Sequence, residues 1–144
     1  MPAKKHPGLG QRAGERHSNR SRRGAEVLAT IHAGWGEANV LAQLDDIAPD
    51  FKNMVRDFAF GEVYARPGLD LKSRQFATVA VLAALGNAPL ELRAHLHGAL
   101  ALGWTRQELI ELLMQVSVYA GFPNAIHALL TAKGVFAEQD ATQK

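Results

Sequence analysis

The chain has 144 residues, of which 47% are apolar and 21% are charged, so it is long enough for one globular domain with its own core. It contains no cysteine, which excludes disulfides, thiolate metal ligands and thiol catalysis. Because no apolar run approaches the ~18 residues that span a bilayer and the N-terminus lacks the apolar stretch of a signal peptide, we expect a cytoplasmic protein with no membrane partner.

The formal net charge of +2 is unevenly distributed along the chain. Residues 1–23 carry seven Lys and Arg against one Glu, whereas the rest carries nine against thirteen acidic residues. Residues 1–23 show little apolar periodicity, which predicts a disordered basic tail, followed by a domain over 24–138 and a short tail over 139–144. The tail is either a nucleic-acid-binding arm or a solvated extension. No aromatic residues interleave with its cations, so we expect no nucleic-acid partner.

The first half of the domain shows helical signals. Short helices are predicted over residues 25–32 and 37–45, and another begins at Pro49, since proline favours the first helical turn. Apolar residues after Pro49 recur at steps of three and four, as on one face of a helix. Residues 66–68, Arg-Pro-Gly, predict a loop, because the residue before a proline avoids the α region.

The second half contains clearer helix boundaries. Asp70 is the predicted N-cap of a helix over residues 71–85 that Gly86 ends. Further helices are predicted over 89–103, over 105–119 behind a capping box of Thr105 and Glu108, and from Pro123 onward. No alternating strand pattern is present in the sequence. The predicted fold is therefore all-α, a compact bundle of six to seven helices.

The helix over residues 71–85 also indicates self-association. Ala77 and residues 79–85 are apolar and cover every face, which is typical of a helix buried on all sides. A small domain often buries such a helix at a subunit interface. We therefore expect a homo-oligomer.

His95 and Glu91 are the first candidates for chemistry. They are four residues apart and share one helical face, so the carboxylate can hold the imidazole tautomer and raise its pKa, as a general acid or base needs. The alternative is an exposed pair that contributes only a few tenths of a kcal/mol. His97 falls on another side of the helix and no third ligand has a useful spacing, so we expect no metal ion.

Four further residues are candidates around the Pro-Gly loop and at a helix end. Glu62 lies before this loop and Arg66 begins it. Arg74 lies early in a very apolar helix, where an arginine is usually paired or binds an anion. The alternative for Arg74 is an ion pair with Glu62, Asp70 or Glu91. Tyr119 ends its helix, where a core role is the alternative to a catalytic one.

Seven short motifs occur in order between about residues 51 and 136 and resemble the carboxymuconolactone decarboxylase family. They are Gly61-Glu62, Arg66-Pro67-Gly68-Leu69-Asp70, Lys72-Ser73-Arg74, Glu91-Leu92-Arg93-Ala94-His95, Gly98-Ala99-Leu100, the Thr105 cap and Tyr119-Ala120-Gly121-Phe122-Pro123. The resemblance implies an alkylhydroperoxidase D-like fold and a homo-oligomer, a trimer or hexamer, with sites near subunit contacts. The thiols of the peroxidase branch would fall on Ala88 and Glu91, so that chemistry is excluded.

The resemblance further implies decarboxylation of 4-carboxymuconolactone or a related carboxylated lactone, without a cofactor because the substrate holds its own electron sink. His95, oriented by Glu91, would then be the acid or oxyanion donor. Arg66 or Arg74 would bind a carboxylate, and Glu62 or Tyr119 would orient water or the acid. The alternatives are an enzyme for another lactone or oxo acid that releases no CO2, and a non-catalytic protein that binds a small acid or nucleic acid.

Overall fold

A computed structural model describes residues 9–32 and 40–143. Within these residues the secondary structure is entirely helical, as predicted, with six α-helices, one π-helix and one short 3-10 turn. The α-helices are α1 (Leu9–Ile31), α2 (Pro49–Met54), α3 (Leu71–Leu85), α4 (Pro89–Ala101), α5 (Arg106–Ala120) and α6 (Phe122–Thr142). No helix in the described part is long and apolar enough to cross a membrane.

The predicted boundaries of α3 and the predicted start of α5 are confirmed by their capping contacts. The Asp70 side chain accepts a hydrogen bond from the Ser73 backbone N–H, and Gly86 ends α3 with a φ of 68°, in the left-handed region that favours glycine. Thr105 and Glu108 form the predicted reciprocal capping box. These local contacts explain why both helices could be placed from sequence.

The N-terminal prediction is wrong for the residues that the structure describes. Residues 9–23 are helical and continue into the predicted helix over 25–32, so that α1 is one helix of 23 residues. Residues 9–23 have little apolar surface, and this part of the helix is held instead by polar contacts with the π-helix Val55–Tyr64. Arg20 Nη1 donates to Glu62 Oε1 at 2.6 Å, and Ser21 Oγ donates to Asp57 Oδ2 at 2.9 Å. Residues 1–8 lie outside the described residues.

Two glycines allow α1 and the π-helix to approach closely. A Cβ atom added to Gly24 would lie 2.2 Å from the Arg56 carbonyl oxygen, and one added to Gly61 would lie 2.3 Å from the Arg20 carbonyl oxygen. Each glycine thus meets the backbone of the opposite helix. The two helices are in direct backbone contact at this crossing.

The predicted helices over 37–45 and from Pro49 differ from the observed ones. Residues 37–39 lie outside the described part, and Ala42–Leu44 is a single 3-10 turn. The helix that begins at Pro49 becomes a π-helix after six residues. The wider winding is seen where the Ala65 backbone N–H bonds to the Phe60 carbonyl, five residues back.

The core has two parts. The larger part lies between α3, α4, α5 and α6, with Val79, Leu96, Leu109, Leu113 and Val135 fully buried. The smaller part joins α1, the π-helix and α4 through Ile31, Phe60 and Ala94. This second part adjoins the cavity described below.

A polar cluster connects α4 to α6 at the edge of the larger core. Glu138 accepts hydrogen bonds from Arg93 Nε and Nη2 at 3.1 and 2.8 Å, and its Oε2 lies 2.8 Å from His97 Nε2. Burial alone would raise the pKa of Glu138, but these hydrogen bonds outweigh it and hold the pKa below its usual value. His97 therefore has a structural role on the side of α4 away from His95.

Large apolar side chains remain exposed at several places on the single chain, and two of these lie on α3 and at the turn from α5 to α6. Val81 and Leu85 of α3 are 57% and 59% exposed, although the sequence predicted burial on all sides of this segment. A second face combines the end of α5 with the start of α6. Its exposed members are Val118, Tyr119, Phe122, Ile126 and Leu130.

Candidate active site

A cavity of about 250 Å³ lies between α4 and the segments that precede it. Its polar lining side chains are His32, which follows α1, and Glu91 and His95 on α4. The other described residues of the lining are apolar: Val40, Leu41, Leu44, Phe51, Val55, Phe60 and Ala94. Drug-sized ligands usually need at least about 300 Å³, so this cavity suits a smaller metabolite.

His95 is held from the core side by Gln75 of α3. The Gln75 Nε2 atom lies 2.8 Å from His95 Nδ1 and also 2.8 Å from the His95 carbonyl oxygen. Gln75 is fully buried, and its Oε1 atom has no hydrogen-bond partner among the described residues. An unpaired buried acceptor costs about 1–3 kcal/mol, so this arrangement is maintained at the expense of stability.

Burial lowers the pKa of His95 from 6.5 to about 4, with a smaller contribution from His32. Desolvation disfavours the charged imidazolium, and a second imidazole nearby acts in the same direction. The pKa of His32 is also lowered by its burial. The cavity therefore holds two neutral imidazoles at neutral pH.

The lowered pKa of His95 has a consequence for stability. As pH falls from about 6.5 towards about 4, the unfolded chain binds a proton at this histidine before the folded chain does. We therefore expect the free energy of unfolding to decrease over this range. Urea unfolding at pH 7 and pH 5 checks this, and His95→Gln should show a smaller decrease because it lacks the group. An equal decrease in both proteins would contradict the assignment.

Glu91 reaches the same cavity as His95, as its spacing predicted, but it does not orient the imidazole. Its side chain is exposed, and no hydrogen bond joins it to His95 in the described structure. The helical spacing places both residues on one face, whereas the hydrogen bond to Nδ1 comes from Gln75. Glu91 therefore lies both at the cavity and at the protein surface.

Arg66 and Arg74 lie outside the cavity lining. The Arg74 side chain donates from Nε to the Leu69 carbonyl at 3.0 Å and from Nη2 to the Arg66 carbonyl at 3.3 Å. The ion pairs considered for Arg74 do not occur among the described residues; instead it fixes the Pro-Gly loop. Arg66 is exposed on this loop.

Glu62 and Tyr119 are also placed away from the cavity. Glu62 is paired with Arg20 of α1 at 2.6 Å. Tyr119 is 87% exposed, so the core alternative that its position suggested is wrong for the single chain. Of the six predicted site residues, the structure brings only Glu91 and His95 together at the cavity.

Two residues of the site were missed by the sequence analysis. Gln75 is a polar residue in an otherwise apolar helix segment, and that contrast was the available signal. His32 had no distinguishing spacing and enters the cavity only because α1 ends beside α4. No group of three or more His, Asp or Glu side chains that could hold a metal ion exists within residues 9–32 and 40–143.

Comparison with known proteins shows the family to which the chain belongs. Residues 49–134 match the carboxymuconolactone decarboxylase family, and the chain belongs to this family. The match includes α2 to α5 and most of α6, and with them the cavity residues Phe51, Val55, Phe60, Glu91 and His95.

Two of the relatives are named as decarboxylases, and a third is named as uncharacterised. The chain is 42% identical over 120 residues to a 4-carboxymuconolactone decarboxylase of Acinetobacter baylyi, which covers 81% of this chain and 87% of the relative. It is 33% identical over 98 residues to an uncharacterised 15.0 kDa protein of Paracoccus denitrificans, covering 67% and 73%. It is 35% identical over 83 residues to a nitrosuccinic acid decarboxylase of Metarhizium robertsii, covering 57% of each chain.

Proposed function

We propose that this protein is a carboxy-lyase that converts 4-carboxymuconolactone to the β-ketoadipate enol-lactone, in the protocatechuate branch of aromatic catabolism, without a cofactor. The observation that carries the proposal is the small, mostly apolar cavity with His95 and Glu91 on one helical face. The likeness to the Acinetobacter decarboxylase over 81% of the chain supports the substrate.

The reaction requires little from the protein beyond positioning and polar stabilisation. The bond between the γ carbon of the lactone and its carboxylate breaks, and CO2 leaves. The electron pair left on carbon moves through the ring double bond to the lactone carbonyl oxygen and gives a dienolate. A proton then adds at the α carbon. The substrate itself is the electron sink, and an apolar cavity favours loss of the charged carboxylate.

His95 and Glu91 have separate roles in this mechanism. The neutral His95 imidazole donates a hydrogen bond to the oxygen on which negative charge develops, where a fixed donor is most effective. Glu91 is exposed and also lines the cavity, so it carries the proton from solvent to the α carbon. Glu62 has no place in this mechanism because it is paired with Arg20 outside the cavity.

We propose that the active protein is an alkylhydroperoxidase D-like homo-oligomer, a trimer or hexamer, in which a neighbouring copy completes the site. The substrate carries two carboxylates, yet no Lys or Arg lines the cavity in the described residues. Arg66 is exposed on a loop that Arg74 fixes, so a second copy can bring this guanidinium to a carboxylate. The exposed face around Tyr119 supplies apolar surface for such contacts.

Mixed oligomers test this shared site. Arg66→Ala should raise KM about tenfold or more, because a charged hydrogen bond to substrate is lost. If Arg66 acts across an interface, mixing Arg66→Ala with His95→Ala subunits should restore part of the activity, since some sites then receive both intact residues. Each variant mixed with itself is the control. Mixtures no more active than the Arg66→Ala protein alone would contradict a shared site.

The proposed reaction itself is tested by CO2 release. The substrate is generated in place by its cycloisomerase, and CO2 is followed with and without the protein. Release well above the spontaneous rate supports the proposal, and release at the spontaneous rate contradicts it.

The charged substrate does not cross membranes freely, which fits the cytoplasmic location expected from the sequence.

A second candidate function is decarboxylation of a different small carboxylic acid. The likeness to the nitrosuccinic acid decarboxylase favours it, because that relative is named for an open-chain acid. The same cavity and the same pair of His95 and Glu91 would serve both. Comparing CO2 release from nitrosuccinic acid and from the lactone at equal concentrations distinguishes the two.

A further inference from the structure

The contact between Gln75 and His95 defines the proton position on the imidazole. The Gln75 nitrogen lies at hydrogen-bond distance from two atoms, the His95 carbonyl oxygen and His95 Nδ1. A carbonyl oxygen only accepts, so the amide group facing it must be the NH₂ end, and the reverse orientation would set two oxygens against each other. One amide hydrogen is thus directed to each acceptor.

This orientation makes Nδ1 an acceptor. In a neutral imidazole one nitrogen accepts and the other carries the proton, so the proton is on Nε2. Gln75 has no ionisable group and cannot accept from Nδ1 in this orientation. The other tautomer would place two N–H groups against each other.

We infer that Gln75 is a positioning residue that holds His95 in its Nε2–H tautomer and so makes the imidazole a hydrogen-bond donor towards the cavity. This inference rests on the proposed function only for its effect on rate. The complete burial of Gln75 and the unpaired Oε1 beside it support it, since a buried amide with one unsatisfied oxygen has no packing advantage over an apolar side chain of the same size.

The surroundings of His95 agree with a neutral donor. Burial disfavours the imidazolium, and among the described residues the titratable groups that line the cavity with it are Glu91 from its own helix and His32 after α1. The π-helix contributes only apolar side chains, Val55 and Phe60, to the lining. A neutral Nε2–H therefore donates to the dienolate oxygen without supplying the proton of the α carbon.

Nitrogen NMR of the ¹⁵N-labelled protein tests the tautomer without any substrate. At pH 7 we expect His95 to show a protonated Nε2 and an unprotonated Nδ1, with signals assigned from the spectrum of His95→Gln. In Gln75→Leu no donor faces Nδ1, so signals of both tautomers should appear. A wild-type ring with its proton on Nδ1, or a pure Nε2–H pattern that persists in Gln75→Leu, would overturn the inference.

A second variant distinguishes an effect of the lost hydrogen-bond donor from a folding defect. Gln75→Met keeps the size but donates nothing, so both tautomers should appear. Its kcat should fall by about 10–100-fold with little change in KM, as for outer-shell partners that fix catalytic histidines. Gln115→Met, an exposed position on α5 outside the cavity, is the matched control and should leave both constants unchanged. Mixed tautomers at unchanged kcat would overturn the effect on rate. If wild type releases no CO2 while the NMR pattern holds, the proposed function fails and the tautomer assignment stands.

Discussion

Replacing His95 by alanine is expected to lower kcat for CO2 release by about 10²–10³-fold. In the proposed mechanism the removed N–H group donates to the oxygen that becomes negative in the transition state, and loss of one such donor typically has this effect. KM should change much less, because the donor contributes mainly after the bond to carbon begins to break. Steady-state CO2 release by wild type and variant measures both constants.

The control for this experiment is a histidine outside the cavity. His127 is exposed on α6 and does not line the cavity with His95, so His127→Ala should retain wild-type constants. Circular dichroism and thermal unfolding of both variants separate a catalytic loss from an unfolded protein. Retention of more than about a tenth of wild-type kcat in folded His95→Ala would contradict the assigned role.

The second large effect is expected at the crossing of α1 with the π-helix. Gly61→Ala places a methyl group 2.3 Å from the Arg20 carbonyl oxygen, closer than any carbon packs against oxygen, so one helix must move. Forced overpacking of this kind costs about 1–3 kcal/mol and sometimes more. Valine at the same position should have the larger effect. Urea denaturation with circular dichroism detection gives the free energy of unfolding of each variant.

Gly14 provides a matched control on the same helix as the contact partner Arg20. No atom lies within 4 Å of a Cβ added to Gly14, so alanine fits there. In a helix this change is expected to stabilise the protein by roughly 0.5–1 kcal/mol. Equal destabilisation by Gly14→Ala and Gly61→Ala would show that loss of a glycine, and not the helix crossing, is responsible.

The helices that carry their own end signals were predictable from the sequence. The Asp70 cap, the Gly86 stop and the box of Thr105 and Glu108 are local contacts, so the boundaries of α3 and the start of α5 follow from short stretches of chain. The helical part of residues 9–23 was not predictable in this way. Its partners Asp57 and Glu62 are about forty residues away, and no pattern of apolar residues announces them.

In the candidate site, too, short-range geometry was predictable from the sequence and contacts between distant residues were not. The spacing of Glu91 and His95 places them on one face of α4 and at one cavity, which short-range geometry dictates. Which residue holds the imidazole depends on how α3 packs against α4, and Gln75 is twenty residues before His95. The position of Glu62 depends on α1, which pairs it with Arg20 instead of turning it to the cavity.

The crossing of α1 and the π-helix makes the basic N-terminal segment a support for the wall of the cavity. One side of the π-helix rests backbone against backbone on α1 at Gly24 and Gly61, and its Val55 and Phe60 form part of the cavity wall. Because no side chain separates the two backbones at these glycines, a displacement of α1 at the crossing passes directly to that wall. None of the described residues up to Ile31 lines the cavity, yet this cation-rich segment thereby contributes to the shape of the cavity.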